Sequence, residues 1–433
     1  MSTGSIPQTM NVHSSVEWPE TWRVAPLWSL FERIKDVGHP NEEMLSVYRD
    51  FGVVRKSSRG DNFNKTAENR DIYQLIDDGW LVVNRMKAWQ GSVGISSHRG
   101  IISGHYICFR PTHDEDSGFL DWLLRSDVYA AEYLRLSRGV RPNQIEIDND
   151  GLRVLPVRLP PLEEQRRIAD FLDAETARID ALAAYRYQQS ELLGERFESL
   201  AKSLTGRTAI RSHTLPAGWS TQQLRRTITS IKTGTTPSSD DTEIWVEHTQ
   251  TDTVPWYGPS SIGALLGLTP SLKRLPRSAI AERVVPKFPS GSVLVIGIGA
   301  TAGKVAYLDH EGTGNQQITA LVPDVDMVGR FLAWQLWAAT DELRELAPYT
   351  TLPIINNDFL KSFPIAVPPA AHQQIAVKRL DMAASRLRAL ERTAQQATSL
   401  LAERRQALIT AAVTGQFDVS TASGRNVTDG VTA

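Results

Sequence analysis

The stretch that looks most like catalysis is "GIGATAGKV", residues 297–305. A phosphate-binding loop needs Gly, four residues, then Gly-Lys-Ser/Thr, so that backbone N–H groups cradle the phosphates and the hydroxyl holds Mg²⁺. Counting back from Gly303 places Ile298 where the first Gly belongs, and Val305 stands where the hydroxyl should be. The stretch therefore reads as strand, turn, strand. Other catalytic signatures are missing too. No GxGxxG follows a strand, and no Gly-x-Ser-x-Gly elbow occurs. Neither an Asn-Pro-Pro-Tyr/Phe stretch of an amino-methyltransferase nor a Pro-Asp…Glu-x-Lys nuclease pattern is evident. The single cysteine, Cys108, excludes an intrachain disulfide, and no Cys/His cluster has metal-ligand spacing. The chain reads as one that binds and positions.

Its 433 residues argue for two or more domains. A 41% hydrophobic and 22% charged composition is that of an ordinary soluble globular protein. No apolar run approaches the length of a membrane span, and "MSTGSIPQTMNVHSS" lacks the basic and apolar regions of a signal peptide. A cytoplasmic location is the expectation. The net charge of −2 says nothing for nucleic acid, but its distribution does. Residues 49–110 carry ten Lys/Arg against six Asp/Glu, and residues 273–304 carry six against one. Such segments suit a polyanion or are plain surface charge; both readings stay open.

What must position any binding residues is an internal repeat. With an offset of 208, residues 160–204 align without a gap on 368–412, with fourteen identities in 45 positions. Both copies open with Pro-Pro, place Gln four residues after the second Pro (Gln165, Gln373), and reach Leu-Asp seven residues later. Upstream, residues 79–111 align on 291–323 with eight identities, where average composition gives roughly two. "PETW" at Pro19 echoes "PAGW" at Pro216. A period near 210 residues is too long for a solenoid and indicates duplication of a whole unit.

Within each unit, "GWLVVN" and "SVLVIGIG" read as strands, followed by strands in "IISGHYICFRP" and "QQITALVP". "GFLDWLLRSDVYAAEYLRL" and "GRFLAWQLWAATDELREL" each read as one helix. Pro suits a first helical turn. No further Pro or Gly interrupts until Gly194 in the first copy and Gly415 in the second, so each helix has about 40 residues and spans roughly 60 Å. Heptad positions are filled by Ile168, Leu172, Ile179, Leu182, Leu193 and Leu200 in the first. In the second, Leu380, Leu387, Ala394, Leu401 and Leu408 share one position, and Ala376, Ala383, Leu390 and Ala397 the other. This spacing predicts a coiled coil, formed antiparallel by the two helices of one chain, with each helix packing on its own domain as the alternative. The expected fold is α+β: two β-rich domains joined by two long helices in an antiparallel coiled coil, as a pseudo-twofold tandem repeat. Expected boundaries are a flexible tail at 1–16, a first globular domain at 17–160, a central helix at 161–207, a second domain at 208–367, a C-terminal helix at 368–416 and a flexible tail at 417–433.

"LPPLEEQRRIADFLDAETARIDAL" and "LLAERRQALITAAVTGQFDV" resemble the conserved regions of specificity subunits from type I restriction-modification systems, and "NRMKAWQGSVG" resembles a stretch recurrent in their target recognition domains. The resemblance covers nearly the whole chain, from Trp18 to Val419. The second helix start departs from it, with "AAHQQ" for the usual acidic residue and Gln, and Ala376 where Ile168 stands. The resemblance implies that each globular domain reads one half of a bipartite, asymmetric site in double-stranded DNA. The helix pair would set the spacing and dock two modification subunits that methylate adenine. S-adenosylmethionine, ATP and Mg²⁺ would sit on modification and restriction subunits, with no cofactor, metal or catalysis on this chain.

Base reading needs side chains that reach groove edges: Arg and Lys for guanine, Asn and Gln for adenine. Phosphate contacts use Lys, Arg, Ser, Thr or backbone N–H. The candidates in the first domain are Arg85, Lys87, Trp89 and Gln90 in a Gly-flanked loop, and Arg138, Arg141 and Asn143 in "SRGVRPNQ". In the second they are Thr301, Lys304, Asn315, Gln316, Gln317, Thr350, Thr351 and Asn356. Each has a plain loop or surface role as its alternative, and the bulk of Trp89 suits packing. Two other functions stay open: a coiled-coil scaffold whose domains bind protein, and a nucleotide-dependent enzyme resting on "GIGATAGK" alone.

Overall fold

The computed structural model describes residues 16–58, 69–139, 145–237, 245–246, 251–348 and 354–421. The chain forms two compact units, Met1–Tyr185 with Gln396–Ala433, and Arg186–Gln395. The division cuts both long helices near their middles, whereas the boundaries expected from sequence set each helix apart whole. Each unit holds one globular domain, the start of one long helix and the end of the other.

The globular parts share a four-stranded antiparallel sheet. In the first unit its order is Phe31–Ile34, Tyr106–Pro111, Leu81–Asn84, Val93–Ile95. In the second it is Ile228–Thr233, Ile318–Pro323, Val293–Ile296, Val305–Tyr307. The central strands "LVV" and "VLVI" are buried throughout because both sheet faces are covered, so they read as continuous apolar runs. Cys108 lies in this core, and burial pushes its thiol up to about 12. "GIGATAGKV" is the connection of an antiparallel hairpin, closed by Gly303 N–H to the Ile296 carbonyl at 2.8 Å. The two runs expected as single helices are each two. Ser126 ends Ser117–Arg125 and caps Asp127–Arg135, its hydroxyl accepting from Tyr129 N–H. Gly329–Ala338 and Thr340–Leu346 likewise break at Ala339.

The long helices span Leu162–Leu204 and Ala370–Val413. The repeated Pro-Pro explains itself here. The carbonyls of Pro161 and Pro369 accept the first helical bonds, from Gln165 N–H at 3.0 Å and Gln373 N–H at 3.2 Å. The repeated Gln is buried, and its amide joins domain to helix. Gln165 Oε1 accepts from Asp116 N–H at 3.0 Å while its Nε2 donates to the Pro160 carbonyl at 2.8 Å. Gln373 does the same with Val328 N–H at 2.8 Å and the Pro368 carbonyl at 3.0 Å. The repeated Asp completes the joint: Trp122 Nε1 donates to Asp173 and Trp334 Nε1 to Asp381, both at 2.8 Å.

In the first unit the two helices run antiparallel. Phe171 meets Phe417 at 5.5 Å between ring centroids, and Asp180 pairs with Arg405 at 3.3 Å. Ile168, Leu172 and Ile179 share a core with Leu408, Ile409, Ala412 and Val413. In the second unit Phe197 and Ala201 share a core with Ala376, Leu380, Ala384 and Leu387. The helices pack against each other and against the domains, so the two readings of the sequence combine. Leu193 and Leu401 are partly buried against these cores. Leu182, Leu200 and Leu390 correct the heptad reading: they are exposed at 42%, 38% and 51%. In the first helix the buried Ile168 and Ala201 lie three spacings of 11 apart, whereas a 3.5-residue stripe drifts by about 20° per heptad. Leu390 falls on the exposed flank, where Ala384 replaces Ala383 as the buried residue.

Both helices end on Thr-Gly. Gly206 and Gly415 take φ of 77° and 72°, and a Cβ there would come within 2.7 Å of Trp219 and 2.4 Å of Pro19. Each end therefore seats against one of the two "Pro-x-x-Trp" turns noted in the sequence. Phe417, expected in a flexible tail, is held against Phe171.

Replacing Gln165 or Gln373 by Leu strands a backbone N–H and a buried carbonyl. Each change is expected to lower unfolding free energy by about 1–3 kcal/mol, read from the denaturant midpoint. Equal midpoints in wild type and variants would remove the joint from the account.

Candidate nucleic-acid interface

In the first unit, the loop after strand Leu81–Asn84 is built by Asn84, whose Oδ1 accepts from the N–H groups of Met86 at 3.1 Å and Lys87 at 3.2 Å. A short helical turn, Ala88–Gln90, follows and ends at Gly91 with φ 80°. Lys87 and Gln90 are exposed. Trp89 packs on its own turn, donating to the Met86 carbonyl at 3.1 Å. Arg85 forms an ion pair with Glu146 at 3.2 Å, and its carbonyl accepts from Ile147 N–H at 3.1 Å. Glu146 sits opposite Arg138 in a two-stranded pairing, so Arg85 and Arg138 share one rim. Arg138 is 83% exposed, with Asp148 at 3.6 Å. Arg141 and Asn143 lie outside the described residues.

The second unit builds the equivalent rim from amides and hydroxyls. Gly297 N–H donates to the Gln317 carbonyl and Ile355 N–H to the Gly297 carbonyl, both at 2.8 Å, which stitches three segments together. Gln316 is exposed, with Thr236 donating to its Oε1 at 2.5 Å. Gln317 lies beside the Ile298 carbonyl, 3.5 Å from its Nε2. Asn315 is a framework residue: its Oδ1 accepts from Gln317 N–H and its Nδ2 donates to Gln317 Oε1, both at 3.1 Å. With its amide engaged and only 9% of its surface exposed, it positions Gln317 and presents little to a ligand. Lys304 is set apart from this rim, lining a cavity with Glu198, Trp337 and Asp341. Thr301, half-buried, occupies the turn between. Asn356 is exposed and caps the helix Asn357–Ser362, accepting from Phe359 N–H at 2.8 Å. Thr350 and Thr351 lie outside the described residues.

Sequence reading missed Thr233, Thr236 and Asn357. Asn357 Nδ2 donates to Thr233 Oγ1 at 3.1 Å, beside Thr319. The Gly-Thr-Thr run at 234–236 was the available signal. At Gly234 a Cβ would fall 2.2 Å from the carbonyls of Gly314 and Asn315, so the chain must pass there bare.

Much of the local basic excess is already answered by acids. Arg99 bonds Glu42 at 3.0 Å and Asp77 at 2.8 Å, and Arg110 bonds Glu32 at 2.5 Å. Arg277 pairs with Asp252 and Glu311, and Lys287 with Glu311. The Lys287 hydrogen bond, aided by Arg277, holds the Glu311 carboxyl below its usual range. Exposed pairs of this kind contribute little to stability and can be exchanged for another anion. Among the described residues no His/Cys/Asp/Glu group could hold a metal, and no helix is long and apolar enough to cross a membrane.

Residues 19–189 and 216–397 match the family described as type I restriction modification DNA specificity domain, and the chain belongs to that family. Among curated relatives, it is 26% identical over 198 residues to the type I restriction enzyme EcoKI specificity subunit of Escherichia coli (strain K12), covering 42% of each chain. It is also 26% identical over 225 residues to the StySPI specificity subunit of Salmonella potsdam, covering 48% of each. The match thus spans somewhat less than half the length of these relatives. Among solved structures, a chain from a type I R-M system superposes with a TM-score of 0.73 at 19% identity, covering 93% of this chain and 100% of that one. The HsdS subunit from Thermoanaerobacter tengcongensis superposes with a TM-score of 0.54 at 18% identity, covering 93% and 99%. At these identities the likeness concerns the fold: two β-rich domains with two long helices, in tandem repeat.

Asn356 separates capping from reading. Asn356→Ala should cost about 1 kcal/mol of stability through the lost cap, measured by thermal or chemical unfolding. Asn356→Asp keeps the cap but removes the amide donor. It should leave stability unchanged and weaken duplex binding if the amide reads a base; unchanged binding assigns Asn356 to capping alone.

Proposed function

We propose that this chain is the non-catalytic, DNA-reading subunit of a type I restriction-modification complex, with each globular domain reading one half of a bipartite, asymmetric target. The observation that carries this is one joint built twice under two unlike rims. Gln165, Trp122 and Asp173 recur as Gln373, Trp334 and Asp381. The first rim offers Arg85, Lys87 and Arg138, and the second Gln316, Gln317 and Asn356. Arginine forks suit guanine and side-chain amides suit adenine. A shared frame under different readers is what an asymmetric site requires.

The long helices act as the spacer and as the dock for two modification subunits, with restriction subunits joining the complex. Docking is supported by apolar side chains left exposed along them: Tyr185 at 55%, Tyr187 at 66% and Leu192 at 55% on the first, and Leu400 at 63% on the second. Adenine methylation, with its S-adenosylmethionine, and ATP- and Mg²⁺-dependent restriction are assigned to those partners, in the cytoplasm.

Inserting four residues into the exposed middle of one long helix lengthens it by roughly 6 Å, equivalent to about two base pairs. The preferred spacing between half-sites should grow accordingly in methylation mapping; unchanged spacing removes the helices as the ruler. Arg138→Ala should weaken duplex binding and lower the salt dependence of log K by about one if Arg138 meets a phosphate. An unchanged affinity across salt concentrations strikes it from the interface.

A further inference from the structure

A cavity of about 480 Å³ opens in the second unit, and none of its lining residues is a base-reading candidate. Three arginines from three elements reach it: Arg274 from the strand Arg274–Pro276, Arg330 from the helix Gly329–Ala338, and Arg388 from the second long helix. Each is fixed on one side. Arg274 Nε donates to Thr253 Oγ1 at 2.6 Å and its Nη2 to the Thr253 carbonyl at 3.1 Å. Arg330 Nε bonds Asp381 at 2.6 Å, and its guanidinium lies 5.2 Å from the centre of the Tyr307 ring. Arg388 Nη1 donates to the Leu265 carbonyl at 3.2 Å. Among the described residues, Arg330 has a carboxylate partner, while Arg274 and Arg388 are anchored by neutral oxygens.

The lining carboxylate, Asp309, is engaged by His310 Nδ1 at 2.5 Å, and His310 Nε2 meets the Tyr257 hydroxyl at 2.6 Å. Part of the lining is apolar and strained. Leu265 and Leu266 are both buried and both left-handed, with φ of 52° and 60°. Two successive bulky residues in that region are rare, and such strain concentrates at ligand clamps and other functional sites. Guanidiniums anchored on one side present a planar fork that matches the oxygens of a phosphate, and the volume lies within the range of small-ligand sites.

We propose that this cavity binds a phosphate group, presented either by a small organic phosphate or by a DNA backbone. The first source does not depend on the DNA-reading function proposed above. The full-length chain is dialysed against inorganic phosphate and, separately, AMP, and duplex binding is measured across salt concentrations. The variants are Arg274→Gln and Arg388→Gln, with Arg166→Gln, an exposed arginine outside the cavity and outside the basic segments, as control. If the ligand is a small phosphate, one probe saturates at one per chain, and each cavity variant weakens it at least tenfold while the control does not. If the phosphate belongs to DNA, neither probe saturates, but each cavity variant lowers the salt slope of duplex binding by about one. Arg388→Lys, which keeps the charge and loses the fork, should fall between wild type and Arg388→Gln. The proposal is overturned if neither probe saturates and the slopes stay equal, or if binding persists unchanged in both cavity variants. Absence of duplex binding by the wild type removes the DNA reading and leaves the probe arm standing.

Discussion

The structure depends on two buried glutamines. A buried side-chain amide must satisfy both its donor and its acceptor, and one left half-made costs more than an apolar residue would. Gln165 and Gln373 meet that demand by bonding forward to a domain helix and back to the Pro carbonyl that opens their own helix. The second bond fixes the first turn of the long helix. The first fixes the domain to that turn. Trp122–Asp173 and Trp334–Asp381 add a second bond two turns on, so domain and helix are held at two points. Two points fix an angle where one would leave a hinge.

That constraint explains which features recur between the copies and which do not. Gly91 and Gly303, at φ 80° and 86°, close the same turn in each domain, because the chain reverses there against a neighbouring helix. Of the residues that precede them on the turn, Ala88 and Ala302 are buried in the cores, while the exposed Lys87 and Gln90 of the first turn have no like residue in the second. Asn84 organises the first turn and faces no counterpart, since Ile296 stands there. The second rim is organised instead from Asn315, Thr236 and Asn357 on separate segments. Frame residues satisfy each other, whereas rim residues are held from behind and left open in front.

The frame was legible in sequence because its physics is local or repeated. Pro-Pro, Gln and Leu-Asp fall at fixed spacings, and the apolar strand runs stand between glycines. What sequence could not supply was register over distance. A 3.5-residue stripe and a 3.6-residue helix agree for two or three turns and then part, which is why Ile168 to Ile179 are buried while Leu182 and Leu200 are not. Ser126 illustrates the other failure: one hydroxyl cap divides an apolar run that carries no Pro or Gly near the break. Of the candidate site, residue types were readable but orientation was not. Asn315 and Gln316 are neighbours, yet one amide is spent on the loop itself and the other is exposed, and Lys304 lines a cavity together with residues far away in the chain.

Charge follows the same logic. The basic segments looked like a polyanion footprint, yet Arg99, Arg110, Arg277 and Lys287 already hold carboxylates at the surface. Those pairs are solvent-screened and individually weak, so they neutralise the chain without locking it. A polyanion arriving at such a surface exchanges one anion for another, and its gain comes mainly from released counterions. Long-range attraction is therefore modest for a chain of net charge −2. In the DNA-reading role proposed above, discrimination falls to short-range contacts on the rims, where Arg138 and Gln316 stand exposed. A reader that binds weakly by charge and selectively by shape spends less time on wrong sequences, and under the function proposed above the near-neutral balance of this chain fits that mode.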